Sequence, residues 1–214
     1  MTTPTSSAAD RPNDPRPILD RAIATCGVVI AGIQPEQLTD PTPCSAMNVR
    51  ALLAHLVGVL GRVAALGNGE DPFAVTETPV TDDRWPDAWR ESARRAAAAW
   101  GDDAVLQRPM ALPWIQGSGA EVLASYFSEL TVHTWDLATA TSQQPDWDDT
   151  VIAAALQAAH QILPPENRRA LYEEISAAMG LGEVSVPFAE AVPIPDDAPA
   201  IDRLVAWNGR DPLR

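Results

Sequence analysis

The sequence of 214 residues contains no lysine, since all 15 basic residues are arginine. Schiff-base catalysis and a Walker-type phosphate loop both require a lysine amine, so both chemistries are excluded. The arginines are outnumbered by 29 acidic residues, which gives a formal net charge of −14 at pH 7. A field of that sign repels nucleic acid and anionic membranes, and it disfavours a role in binding either of them.

Cysteine is also scarce, and Cys26 and Cys44 are the only two. Two cysteines are too few for a disulfide scaffold or a cysteine-ligated zinc finger. Cys26 is expected to lie in the core. Cys44 precedes a predicted helix and is expected to pack as a small hydrophobic residue rather than to act as a nucleophile.

The sequence is also expected to lack long apolar runs. The start of the chain is Thr-, Ser-, Pro- and Asp-rich, unlike a signal peptide, and no run is expected to approach the roughly 18 residues that span a bilayer. These features predict a cytoplasmic protein with reduced thiols. Residues 1–16 are predicted to form a disordered leader, residues 17–180 a helix bundle, and residues 181–214 a Pro-rich tail packed on that bundle.

Helical periodicity dominates residues 17–180, with proline-rich joints between the helices. The clearest helix begins after Asn48, a good N-cap, and fades near Gly67. A capping box formed by Ser118 and Glu121 begins another, which is predicted to be continuous to about Thr141. The remaining helices are predicted at about 17–33, 86–101, 148–163 and 165–179, with a short one in the tail near 201–207.

Three residues could form a metal site. Glu129 and His133 lie four residues apart and project from one side of a helix, and Glu129 is the only charged residue between Val122 and Trp135. A carboxylate on an apolar helix needs compensation, which a divalent cation, solvent or an arginine could provide. His55, from the helix after Asn48, could converge on the pair because packed helices lie about 8–10 Å apart.

Two imidazoles and one carboxylate, with a fourth position open, are the ligands of a catalytic rather than a structural zinc site. Spacing alone does not separate this hypothesis from a plain surface pair. Asp136 could orient an imidazole or could instead pair with an arginine or a backbone amide. His160 is expected to lie at the surface, and Trp114 could face the site from the preceding loop.

Three motifs, in order, carry a resemblance to a known family. Residues 41–45 (PTPCS) with 49–58 (VRALLAHLVG) resemble the N-terminal motif of the mycothiol-dependent maleylpyruvate isomerase family, which belongs to the DinB-like metal-binding helix bundles. Residues 129–141 (ELTVHTWDLATAT) resemble its second motif. Tail segments 192–195 (VPIP), 202–204 (DRL) and 209–212 (GRDP) are similar to the ending of one subfamily of uncharacterised members.

The resemblance implies an all-α fold, a DinB-like up-down four-helix bundle with additional C-terminal helices. It implies that His55, Glu129 and His133 hold a divalent ion, with zinc as the first expectation, and that mycothiol is the cosubstrate. The activity would be isomerisation or S-transfer on a small electrophile. Met47 departs from the usual Trp of the family, and Ala51 from a frequent acid.

The sequence leaves several alternatives open. The chain could be a non-catalytic metal-binding bundle that binds a small molecule or a protein partner. It could be a monomer or a homodimer. An acidic substrate could be held by Arg50, Arg203 or Arg210, among which the sequence does not choose.

Overall fold

The computed structural model describes residues 14–76, 79–178, 180 and 186–213. Most of the predicted leader and part of the predicted tail therefore lie outside the described residues. Helix is the main secondary structure of the described residues. The helices are α1 (Arg16–Gly32), α2 (Val49–Asn68), α3 (Trp85–Ala99), α4 (Asp103–Gln107), α5 (Gly119–Ala124), α6 (Tyr126–Ala140), α7 (Asp149–Ile162), α8 (Arg168–Ala178) and α9 (Ala200–Trp207).

Four long helices form the central bundle. α1 packs against α3, α3 against α2, α2 against α6, and α6 against α1, so the contacts close into a ring. α7 packs on the outer side of α1 and α6, and α9 packs on α7 and α6. This arrangement confirms the all-α bundle with additional C-terminal helices that the sequence predicts.

Local signals place the helix ends where the sequence predicts them. The Asn48 side chain accepts a hydrogen bond from the Ala51 backbone N–H at 2.9 Å, and α2 ends at Gly69 in the left-handed conformation. The Ser118–Glu121 capping box is formed in both directions and begins α5. Each of these helix ends depends on residues within one turn, which is why the sequence alone reveals it.

The middle of the chain differs from the sequence analysis in two ways, one a wrong prediction and one an omission. The predicted helix 119–141 is divided into α5 and α6 at Ser125, whose hydroxyl donates to the Val122 carbonyl at 2.6 Å. Such a bond competes with the helical ladder. A hairpin of β1 (Pro109–Leu112) and β2 (Ile115–Ser118) precedes α5 and was not predicted, because strands of four residues carry too little periodicity.

Helix α2 is the one described helix that is long and apolar enough to cross a membrane, with mean hydropathy of 1.7 over its most apolar window. The prediction that no apolar run approaches that length was therefore wrong. Of that window, 56% is buried inside the protein. A buried core helix passes the same test of length and composition, and α2 packs against both α3 and α6.

Candidate metal centre

His55 lies at the edge of the apolar face of α2 and points toward α6. Its side chain is 27% exposed, so one side of the ring reaches solvent. Its Nε2 atom lies 2.7 Å from Oε1 of Glu129. The neighbouring Leu52 and Val59, which are almost completely buried, hold this part of α2 against the bundle.

Glu129 and His133 are one turn apart on α6. Oε1 of Glu129 lies 3.7 Å from Nε2 of His133, while the two imidazole rings of His55 and His133 meet edge to face with centroids 5.0 Å apart. His133 is completely buried, whereas the Glu129 side chain is 21% exposed. The structure thus brings together the three residues that the sequence predicts as metal ligands.

Asp136 orients the ring of His133. Its Oδ2 atom lies 2.9 Å from Nδ1 of His133, and both of its oxygens accept hydrogen bonds from Arg210, at 3.1 and 2.8 Å. An ionised carboxylate can only accept, so Nδ1 of His133 must carry the proton. The sequence left two roles open for Asp136, orientation of an imidazole and pairing with an arginine, and the structure shows both.

The proton on Nδ1 determines what the other nitrogen of His133 can do. In the neutral ring Nε2 is then an acceptor, and it is buried without a hydrogen-bond partner in the described part of the chain. It faces Oε1 of Glu129, which is also an acceptor. A buried acceptor on His133 that faces an anionic oxygen is a position that favours a cation between the two atoms, either a proton or a metal ion.

The electrostatic surroundings keep both carboxylates ionised. Burial raises the pKa of Glu129, but His133 and His55 outweigh burial and bring the pKa down to about 2. Burial likewise raises the pKa of Asp136, and the hydrogen bonds from His133 and Arg210 outweigh it, so this pKa lies below its ordinary value. Glu129 is therefore ionised at neutral pH and offers an anionic oxygen to a cation.

The three donor atoms fit a small divalent ion. Donors of His55, Glu129 and His133 all lie within 4.8 Å of one another. Donors around tetrahedral zinc are about 3.3 Å apart, as bond lengths of about 2.0–2.1 Å require. The observed separations of 2.7 and 3.7 Å fall on either side of that value. Small side-chain adjustments would therefore complete the geometry.

A second group of possible ligands, Cys44, His133 and Asp136, is also within 4.8 Å. Both oxygens of Asp136 are already occupied by Arg210 and His133, and burial raises the pKa of the Cys44 thiol. This group therefore fits a packed core better than a metal. Cys44 and Cys26 are both buried and free, in agreement with the prediction that they pack as hydrophobic residues.

A cavity of about 190 Å³ opens beside Glu129. Its walls are mainly aromatic and aliphatic. The aromatic residues come from four parts of the chain, namely Trp114 from the hairpin turn, Tyr126 from α6, Tyr172 from α8, and Phe188 from the tail. Trp114 thus faces the site, which was one possibility that the sequence left open.

The remaining predicted residues lie away from the cluster or are already paired. Arg50 forms an exposed ion pair with Asp82, and Arg210 is committed to Asp136, so neither is available for a substrate at this cavity. Arg203 lines a different groove, near Trp207. His160 is exposed and contacts the Trp207 ring at 4.2 Å between centroids, as expected for a surface residue.

Sequence reasoning missed several polar residues of the cavity, among them Arg62 and Tyr126. A signal for Arg62 was present, because it lies seven residues after His55 and so on the same face of α2. Tyr126 lies three residues before Glu129 on α6, which also places it on the face of the site. Phe188 carries no such signal, since it follows a segment without periodicity.

An all-α bundle with a histidine–glutamate–histidine cluster between two of its helices defines the class of DinB-like helix bundles. Within that class, residues 19–138 match the family described as the mycothiol maleylpyruvate isomerase N-terminal domain. The match covers more than half of the chain, and the chain belongs to this family.

Two relatives from Mycobacterium tuberculosis are similar over most of the chain. Both are described as uncharacterised proteins, one from strain CDC 1551 / Oshkosh and one from strain H37Rv. Each is 28% identical over 200 residues, which cover 92% of this chain and 98% of the relative. No solved structure matches the chain at a significant level.

Proposed function

We propose that this protein holds a divalent ion, zinc in the first instance, between His55, Glu129 and His133 and uses mycothiol as a cosubstrate. The reaction would be an isomerisation or an S-transfer on a small electrophile. The observation that carries the proposal is the buried Nε2 of His133, which faces Glu129 without a hydrogen-bond partner among the described residues. Family membership supports the choice of thiol.

A divalent ion at this site would supply a Lewis acid that lowers the pKa of a thiol and so increases the thiolate fraction at neutral pH. Three protein ligands would leave one position open to that sulfur. Two neutral imidazoles and one carboxylate contribute a single negative charge. The loaded site would therefore keep one net positive charge, which favours an anionic sulfur.

The residues around the proposed ligands orient and shield the imidazole of His133. Asp136 holds the proton on Nδ1 of His133 and thereby keeps Nε2 available as a lone-pair donor. Arg210 neutralises Asp136, so the buried carboxylate adds no net charge of its own. Phe188 covers His133 with ring centroids 5.5 Å apart and keeps water from that side of the imidazole.

Metal analysis of purified protein tests the proposal. We expect about one divalent ion per chain, because three ligands including two imidazoles bind such an ion tightly. His55→Ala should remove the ion. His160→Ala is the matched control, because His160 lies on the surface against Trp207 and its loss should leave the metal content unchanged. Native protein without metal would overturn the proposal.

A second experiment separates an enzyme from a non-catalytic metal-binding bundle. Calorimetry with mycothiol on metal-loaded protein should show binding that His55→Ala abolishes. Thiol-stimulated turnover of electrophilic test substrates should follow the same pattern. Metal-loaded protein that neither binds mycothiol nor shows such turnover would favour the alternative, a bundle that binds a small molecule or protein partner.

The proposal also covers location and partners. The net charge of −14 favours small-molecule partners over nucleic acid or a membrane surface. Two reduced, buried cysteines and a thiol cosubstrate are consistent with the cytoplasm. We expect a monomer or a homodimer, which sedimentation measurements would distinguish.

A further inference from the structure

The cavity beside Glu129 contains one positive charge, the guanidinium of Arg62. Arg62 is partly buried on α2. No ion pair or hydrogen bond joins it to another residue in the described ranges. Its positive charge is a minor cause of the low pKa of the Glu129 carboxyl. The other described arginines of this region are committed, Arg210 to Asp136 and Arg168 to two backbone carbonyls. The guanidinium of Arg62 therefore lies at the cavity wall with its hydrogen-bond donors free of other described residues, where a carboxylate of a ligand could accept from them.

Tyr126 lines the same cavity, and its hydroxyl is a second donor without a partner among the described residues. Tyr126 is buried, and its hydroxyl oxygen has no hydrogen-bond partner among the described residues. Buried tyrosine hydroxyls usually find a partner. Arg62 and Tyr126 line one cavity and can both donate, so a ligand that accepts from both would satisfy two groups that the protein leaves open.

The rest of the cavity restricts what can accompany the negative group. The wall is mostly apolar, with Val59, Leu163, Leu171 and Ile175 between the aromatic rings. A second carboxylate on the same ligand would lie against these apolar groups and lose its hydration. An engineered apolar cavity of about 150 Å³ holds a benzene molecule. The present cavity of about 190 Å³ therefore suits a body about one ring in size.

We propose that the cavity binds a small monocarboxylate with an unsaturated or aromatic body, whose carboxylate is held by Arg62 and Tyr126. Glu129 belongs to both the cavity wall and the candidate metal centre, so the body of this ligand would lie next to that centre. The inference rests on the proposed function in one respect, namely that a thiol would attack the bound ligand. Recognition of the carboxylate depends only on the cavity.

Calorimetry with trans-cinnamate tests the inference, with cinnamamide as a neutral ligand of the same shape. Cinnamate should bind wild-type protein at least about 10-fold more tightly than cinnamamide, because charge-assisted hydrogen bonds are the stronger ones. Arg62→Met should weaken cinnamate binding about 10- to 100-fold and leave cinnamamide binding almost unchanged. Tyr126→Phe should weaken cinnamate binding about 3- to 10-fold.

Arg50→Met is the matched control, because it removes the same charge from the same helix but from an exposed pair outside the cavity. It should leave cinnamate binding unchanged. Circular dichroism and thermal unfolding check that each variant is folded, and the comparison of the two ligands on wild-type protein requires no variant. Equal affinity for the two ligands would overturn the inference. An affinity for cinnamate that is unchanged by Arg62→Met would also overturn it.

Failure of this inference is distinguishable from failure of the proposed metal function. His55→Ala should lose the metal but keep cinnamate binding within a few-fold of wild type, because Arg62 and Tyr126 remain. If the native protein holds no metal and still binds cinnamate through Arg62, the carboxylate site stands and the metal proposal falls. If the metal is present and cinnamate is not preferred over cinnamamide, only the carboxylate site falls.

Discussion

The buried pair of Asp136 and Arg210 determines the orientation of His133. Removing one partner of a buried ion pair leaves an uncompensated charge, so Asp136→Asn should lower the free energy of unfolding by about 3 kcal/mol. Urea denaturation at neutral pH measures the change. Asp82→Asn removes a carboxylate from an exposed arginine pair and should cause no measurable change. Equal effects of the two substitutions would contradict this account of the pair.

The same substitution of Asp136 should also change metal binding. The asparagine side chain could still accept from Nδ1 of His133, but without the negative charge the ring loses basicity and fixed orientation. We expect Asp136→Asn to weaken affinity for the divalent ion by about 10- to 100-fold. A competition titration with a chelator of known affinity measures it. Unchanged affinity in a folded variant would show that the orientation of His133 does not matter to the ion.

At the residue level, the sequence predicted the part of the site that depends on helical spacing. Glu129 and His133 share a face because they are four residues apart. His55 was singled out by its place at the edge of the apolar face of its helix and by the family motif that contains it. Arg210 could not be assigned to Asp136, because the two are 74 residues apart and no local pattern links them. The sequence left Arg210 open as one of three arginines that could hold a substrate, and the ion pair with Asp136 removes it from that choice.

At the level of elements, caps and periodicity predicted the long helices, whereas the segment from Asp102 to Ser118 was missed. That segment holds α4 and the hairpin, whose helix and strands are each five residues or shorter, and its shape depends on what it packs against. Gly119 shows this dependence. A Cβ atom built there would lie 2.1 Å from the backbone carbonyl oxygen of Val105.

Gly119→Ala should therefore be strongly destabilising, since backbone on both sides would have to move. We expect a loss of several kcal/mol, on the order of 2–4, as for severe overpacking. Gly58→Ala on α2 is the matched control, because a Cβ there meets only the Arg62 side chain at 3.9 Å. It should be neutral or stabilise by up to about 1 kcal/mol through helix propensity. Thermal unfolding of both variants measures the contrast.

At the level of the whole molecule, the tail is tied to the bundle by charge. Arg210 binds Asp136 on α6 and also donates to the Pro187 carbonyl at 2.8 Å, while Arg168 on α8 donates to the Ala189 carbonyl. These contacts hold Phe188 over His133. The tail thus completes one wall of the cavity, and its attachment depends on Asp136 being ionised.

Acid should weaken this attachment. The pKa of Asp136 in the folded protein lies below its ordinary value of 3.8, so its ionised form stabilises the fold above that value. The contribution is lost as the pH falls from about 4 toward the folded pKa. The difference in unfolding free energy between wild type and Asp136→Asn should therefore be constant from pH 7 to about 5 and narrow below 4. If the difference in unfolding free energy between wild type and Asp136→Asn is the same at low pH, the ionised Asp136 is not the group that stabilises the fold.

The contact between Asp136 and Arg210 and the contact between His55 and Glu129 both join residues that lie 74 positions apart in the chain. Loop closure therefore costs the two contacts about the same entropy and does not decide which forms first. The imidazole of His133 nevertheless depends on the C-terminal segment, because Asp136, which accepts from its Nδ1, is itself held by Arg210. Uptake of an ion would therefore report a chain whose C-terminal segment has docked, and not the bundle alone.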